Sequence, residues 1–288
     1  MKPTYTSVQM KPSSHYDTLR AERDGTTWGI GDTRKCCDIL VPAWTGDSEF
    51  PNTSVLTAVF DASFRDFCPT TTTEWFQYFK SLKSIEELEH LNTSRVTSMS
   101  GMFYECESLT TLDLSGFDTC QVSGMIWIFS GCSSLTALDL SGFDTFQVTD
   151  MGSMFSGCKS LTTIYCNSLW SCEKSDNMFS GCDSLKGAVA YEKERDEVSI
   201  ANPQTGYFTP KVLAQEDEAY VHLSADKTTL TFYYDRERNF RMRCYAWSLE
   251  ETMLQNDKKT PAWLSGEVTS KEEITKIVID ESFRNFVP

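Results

Sequence analysis

Residues Ser98 to Val122 read SMSGMFYECESLTTLDLSGFDTCQV, and Ser123 to Val148 read SGMIWIFSGCSSLTALDLSGFDTFQV. TDMGSMFSGCKSLTTIYCNSLW follows from Thr149. Phe103, Phe129 and Phe155 are 26 residues apart and Phe179 comes 24 later, and Cys106, Cys132, Cys158 and Cys182 keep the same intervals. A fixed period of about 20 to 50 residues marks a repeat architecture and outranks local propensity. Extending the pattern back by 24 residues reaches Phe79 and Leu82, which makes EWFQYFKSLKSIEEL a divergent first unit. Four to five units of 24–26 residues are therefore expected.

Within a unit, Leu109, Leu112 and Leu114 are spaced LxxLxL, which puts them on one side of a short strand with Thr111, Asp113 and Ser115 on the other. Leu135, Leu138 and Leu140 repeat the pattern. Asp118-Thr119 and Asp144-Thr145 then read as N-cap pairs, so a short helical turn burying Val122 and Met125, or Val148 and Met151, is predicted after each strand. One strand and one turn cannot bury their apolar faces alone; stacked units join them into a continuous core, the logic of a solenoid.

The longer string MFxxCxSLTxLDLSGFDTxxV resembles the BspA-like leucine-rich-repeat surface proteins, closely from about Trp75 to Leu185. ANPQTGYFTP, from Ala201 to Pro210, resembles the segment that closes such arrays. The resemblance implies an α/β leucine-rich-repeat solenoid, placed outside the cell or on a bacterial surface, that adheres to host or microbial proteins.

A second duplication is longer in range. Pro42-Ala43-Trp44 matches Pro261-Ala262-Trp263, and FDASFRDFCP from Phe60 matches IDESFRNFVP from Ile279, both at an offset of 219. Domains are accordingly expected at 1–68 (a β-rich N-terminal cap whose strand, Ser54 to Phe60, covers the open edge of the first repeat), 69–210 (the solenoid and its closing segment), 211–219 (a linker) and 220–288 (the β-rich cap of a truncated second copy). Leu230 to Asp235 and Glu273 to Asp280 are read as strands of that second cap.

The 26 Lys+Arg against 41 Asp+Glu leave a net charge of −15, which disfavours nucleic-acid and anionic-lipid partners. Neither a membrane span nor a signal peptide is read from the sequence. His15, His90 and His222 stand in no HExxH, and no GxSxG or phosphate-cradling glycine loop occurs, so no catalytic residue, metal or cofactor is expected. The cysteine column stacks at a distance a disulfide could bridge, yet its side chains run parallel and the first unit puts leucine there, which favours buried thiols. Cys36 and Cys37 are left unassigned.

Binding is instead expected along the exposed strand face: Thr111, Asp113, Ser115, Ala137, Asp139, Ser141, Tyr165 and Asn167. Asp113 and Asp139 would face each other across the ladder, a repulsion that a basic ligand or the solvent could relieve. Trp127 is a further candidate, because Ile126-Trp127 replaces Ser100-Gly101 and Gly152-Ser153 of the neighbouring units. It reads either as an exposed anchor for a partner or as folded over a neighbouring helix or packed on Phe76. The expected activity is thus non-enzymatic recognition by a monomer of a protein ligand at a host or microbial surface, with a passive spacer or stalk as the alternative.

Overall fold

The computed structural model describes residues 7–10, 32–36, 39–211, 217–223, 228–235, 246–249, 252–255, 258–261 and 274–285. The chain divides into two compact units, Met1–Pro210 and Lys211–Pro288. In the first lie β1 (Ser7–Met10), β2 (Thr33–Cys36), β3 (Ile39–Pro42), β4 (Thr57–Phe60), β5 (Ser84–Glu86), β6 (Ala137–Asp139), β7 (Thr163–Tyr165) and β8 (Phe208–Thr209). They form a parallel sheet β1-β4-β5, an antiparallel pair β2-β3 and a parallel sheet β6-β7-β8.

This corrects the expected α/β leucine-rich-repeat solenoid. Among the described residues there is no α-helix, and the short strands are gathered in separate small sheets with no continuous sheet along the repeats. The LxxLxL segment at Leu109 to Leu114 carries no strand at all. Two local causes are visible. The Asp139 carboxylate accepts the Ser141 N–H at 3.1 Å and its hydroxyl at 2.6 Å, a turn that ends β6 after three residues. The predicted helix caps do other work: Asp118 Oδ1 accepts the Cys120 N–H, while the Thr119 hydroxyl donates to Asp144 O and accepts the Asp144 N–H. Asp-Thr therefore ties one unit to the next and starts no helix.

The larger reason is where the backbone N–H groups go. Those of Met99, Gly101, Phe103 and Glu105 donate to the carbonyls of Gly124, Ile126, Ile128 and Ser130 at 2.8–3.0 Å, and the same fourfold pattern recurs from Thr72, Met125 and Met151. Donors committed to the next unit cannot make the i→i−4 bonds of a helix, and only i→i−3 turns such as Met102 N–H to Met99 O remain.

These junctions hold the repeat columns in register. Phe76, Phe103, Phe129, Phe155 and Phe179 stack with centroids 5.3–5.8 Å apart and planes within 13° of parallel, all fully buried. The first unit is thus offset by 27 residues, and Phe76, rather than Phe79, heads the phenylalanine column. Phe79, rather than Leu82, precedes Cys106, because the Leu82 N–H bonds Phe79 O just as the Leu109 N–H bonds Cys106 O.

Each column thiol donates to a phenylalanine carbonyl one unit back: Cys106 to Phe76, Cys132 to Phe103, Cys158 to Phe129 and Cys182 to Phe155, at 3.0–3.1 Å. All four are free, whereas Cys120 is disulfide-bonded. Burial pushes the Cys132 and Cys182 thiols up to about 12 and those of Cys106 and Cys158 well above their usual range. Since thiolate is the reactive form, alkylation of the folded protein at mildly basic pH should label Cys68 and Cys172, both only half-buried. The column should react no faster than the protein unfolds. Mass spectrometry of the labelled protein checks this, and prompt labelling of Cys132 would contradict it.

The N-terminal region belongs to the same unit as the repeats. Trp44 Nε1 donates to Trp75 O at 2.7 Å, and β4 lies parallel to β5, Thr57 opposite Ser84.

The second unit holds β9 (Glu218–Leu223), β10 (Thr229–Asp235), β11 (Ala246–Ser248), β12 (Thr252–Gln255), β13 (Lys258–Pro261) and β14 (Lys276–Ile279), in sheets β11-β9-β10-β14 and β12-β13. β9 starts inside the segment read as a linker. The offset of 219 carries β4 onto β14 and the 3-10 turn Ala62–Asp66 onto Glu281–Asn285. Ala58 and Phe60 of β4, which lies between β1 and β5, are buried; Ile277 and Ile279 of the edge strand β14 are exposed.

Candidate functional site

The turns that carry the phenylalanine column also carry two rows of left-handed residues. Glu74, Gly101, Trp127, Ser153 and Asn177 form one, with φ of 52–61°; Tyr78, Glu105, Gly131, Gly157 and Gly181 form the other, with φ of 55–76°. Glycine adopts this conformation freely, whereas a side chain there costs about 1–2 kcal/mol. Position 127 nevertheless holds a tryptophan that is 50% exposed. Strain of this kind persists only where the surroundings enforce it, and it clusters at ligand sites.

The Trp127 ring lies over Tyr104, centroids 6.0 Å apart and planes tilted by 33°, and Tyr104 meets Tyr78 edge-on at 5.2 Å. Three consecutive units thus contribute one aromatic each to a row. Between Glu74 and Trp127 stands Gly101. A Cβ there would lie 3.3 Å from Glu74 Cγ and 3.7 Å from Tyr104 Cβ, so the missing side chain keeps the floor open. Val41, Asp47 and Ser48 also line this open cleft, which measures about 300 Å³.

Its two carboxylates differ in kind. Asp47 accepts the N–H groups of Phe50 (2.7 Å) and Glu49 (2.9 Å) and an Arg34 guanidinium hydrogen (2.8 Å). The Phe50 bond leads in holding its carboxyl below the usual range. Glu74 is half-buried, its carboxylate has no hydrogen-bond donor or ion-pair partner among the described residues, and burial pushes its carboxyl up. Lys80 Nζ contacts Glu107 at 2.6 Å and Glu105 at 3.8 Å, and sits 5.9 Å from the Tyr78 ring centroid. Among the described residues no protein cation stands over Tyr104 or Trp127. Burial and the adjoining Tyr104 push the Tyr78 phenol well up, so it stays neutral.

Of the residues nominated from sequence, only Trp127 borders this cleft. Phe76 is no partner for it, being locked in the phenylalanine column. Thr111, Asp113, Ser115 and Ala137 are exposed, and Asp139, Ser141 and Asn167 are half-buried. Asp113 accepts the Ser115 N–H in a local turn. Residues 111–113 carry no strand, and in the β6-β7 pair Asp139 stands opposite Tyr165. Tyr165 is exposed and opposes Thr209 on its other side.

Glu74, Tyr78 and Tyr104 were not nominated; the signal that would have found them is the 27-residue offset, which places Glu74 in the column of Trp127. His90 is buried with its Nδ1 2.9 Å from Phe60 O. His15 lies outside the described residues. Among the described residues no group of three or more His, Cys, Asp or Glu is placed to hold a metal ion, and no helix is long and apolar enough to cross a membrane.

Residues 70–191 match the family model described as Mycoplasma protein of unknown function, DUF285. That family is related to the BspA-like surface repeat proteins, and the match itself does not place the chain in their leucine-rich-repeat group. Comparison with curated proteins and with solved structures finds no match.

Proposed function

We propose that this chain is a non-enzymatic recognition module that binds a protein ligand at a host or microbial surface, outside the cell that makes it. One observation carries the reading: Trp127, half exposed and held left-handed, stands beside a ready-formed cleft. Tryptophan and tyrosine are enriched among the few residues that dominate interface energies, and they are most effective in a pocket that sheds water on contact. A cleft of about 300 Å³ suits one side chain of a partner. The relation of the matched family to surface repeat proteins supports the location.

Binding of the whole chain to immobilised extracellular-matrix proteins and to microbial cells tests this. Trp127→Ala should weaken that binding by about tenfold or more, a loss of about 1.4 kcal/mol or above, with the denaturation midpoint little changed because the indole is half exposed. Equal binding by the variant, or none by the parent protein, would leave the repeats as a spacer.

A further inference from the structure

We propose that the Trp127 cleft takes a single arginine side chain of the protein partner, its guanidinium lying against Tyr104 and Trp127 and paired with the Glu74 carboxylate. The inference rests on the recognition reading and names the chemistry that this cleft selects.

Three independent features converge on a cation. Glu74 places a negative charge in a half-buried setting with no hydrogen-bond donor among the described residues, a cost that a cationic ligand would offset and a neutral one would not. The aromatic row presents electron-rich faces, which attract a cation within about 6 Å of a ring centroid. The chain already uses that attraction at one end of the row, where Lys80 sits over Tyr78, while the faces at the other end carry no protein cation among the described residues. Finally, the net charge of −15 draws basic partners and repels acidic ones.

Arginine fits better than lysine. Its planar group can stack on a ring and still present a fork of N–H donors to a carboxylate, whereas an ammonium is a strongly hydrated point charge. Both Glu74 and Trp127 occupy the left-handed column, on either side of Gly101, so the same backbone strain aims the carboxylate and the indole at one space.

The test uses the whole chain and two capped tripeptides, acetyl-Gly-Arg-Gly-amide and its citrulline counterpart, which keeps the shape and loses the charge. Binding is read by chemical-shift changes of the Gly101 and Tyr104 amides, which line the cleft in every variant. The arginine peptide should bind at least about tenfold more tightly than the citrulline peptide, and raised salt should weaken it. Glu74→Gln should lower arginine affinity by about tenfold or more while leaving the denaturation midpoint unchanged or higher. Trp127→Phe should bind within a few-fold of the parent protein, and Trp127→Ala should not bind measurably.

Equal binding of the two peptides, no binding of either, or an unaffected Glu74→Gln variant would overturn the arginine assignment. Such a result leaves the recognition reading intact if Trp127→Ala still abolishes attachment to matrix proteins or cells. Undiminished attachment by Trp127→Ala would overturn the recognition reading itself.

Discussion

Phe129→Ala is expected to destabilise the first unit by about 4 kcal/mol, a large part of what a domain has. The ring is fully buried between Phe103, 5.8 Å away and 4° from parallel, and Phe155, 5.7 Å away and 11° from parallel. Truncation removes the transfer energy of a buried phenyl group and two aromatic contacts worth about 0.5–1.5 kcal/mol each. The gap closes poorly, because the Phe129 N–H is bonded to Met154 O and the Phe103 N–H to Ile128 O, which keeps the spacing of the units fixed. Phe146→Ala is the control. Phe146 is 63% exposed, and its loss should change stability by no more than about 0.5 kcal/mol. Urea unfolding of the whole chain, followed through the transition of the first unit, measures both. A Phe129→Ala variant within about 1 kcal/mol of the parent would mean that the column is not the spine of this unit.

That column was legible in the amino-acid sequence because its chemistry repeats: phenylalanine at 103, 129, 155 and 179 and cysteine three residues later admit few readings other than a shared interior. The backbone between them was not. LxxLxL and Asp-Thr look the same in a strand-and-helix repeat as in this one. The difference lies in hydrogen bonds between residues about 25 apart, such as Gly101 N–H to Ile126 O, and local propensity has no access to them. Turns closed by i→i−3 bonds and punctuated by left-handed residues replaced the expected helix for the same reason.

The site was half legible. Trp127 stood out because it interrupts a column of small residues, and that column proves to be left-handed, which explains both the glycine at 101 and the oddity of an indole at 127. Its companions were hidden by a slip of three residues. Phe79 and Leu82 offered acceptable residue types at an interval of 24, so Glu74 and Tyr78 were never set beside Trp127 and Tyr104. The lining from Val41, Asp47 and Ser48 comes from a segment some 80 residues away in sequence, brought near by contacts such as the Trp44 indole on Trp75. No periodicity reports such a juxtaposition.

Gly206→Ala should be the other severe substitution, and it tests the C-terminal end of the array as Phe129→Ala tests its middle. Phe179, the last ring of the column, would face water but for Tyr207, which meets it edge-on at 5.3 Å, and Phe208, at 6.4 Å. Phe208 in turn packs against Trp170 at 4.9 Å. The segment reaches this position through backbone touching backbone. A Cβ on Gly206 would stand 2.0 Å from Ile200 O and 2.7 Å from Asn202 O, and one on Gly187 would stand 2.4 Å from the Tyr207 carbonyl carbon. No rotamer relieves a clash with a main-chain oxygen. The chain must instead swing Tyr207 and Phe208 away, breaking the Tyr207 N–H bond to Ile200 O and uncovering Phe179. Exposing one large aromatic and losing its edge-on partners amounts to about 3 kcal/mol or more. The expected result is a lower urea midpoint together with faster amide exchange in the last repeat, around Met178 to Cys182, than in the repeat around Phe129. A Gly206→Ala protein with unchanged midpoint and exchange would show that the closing segment can be displaced without loss, and that the column needs no cover at that end.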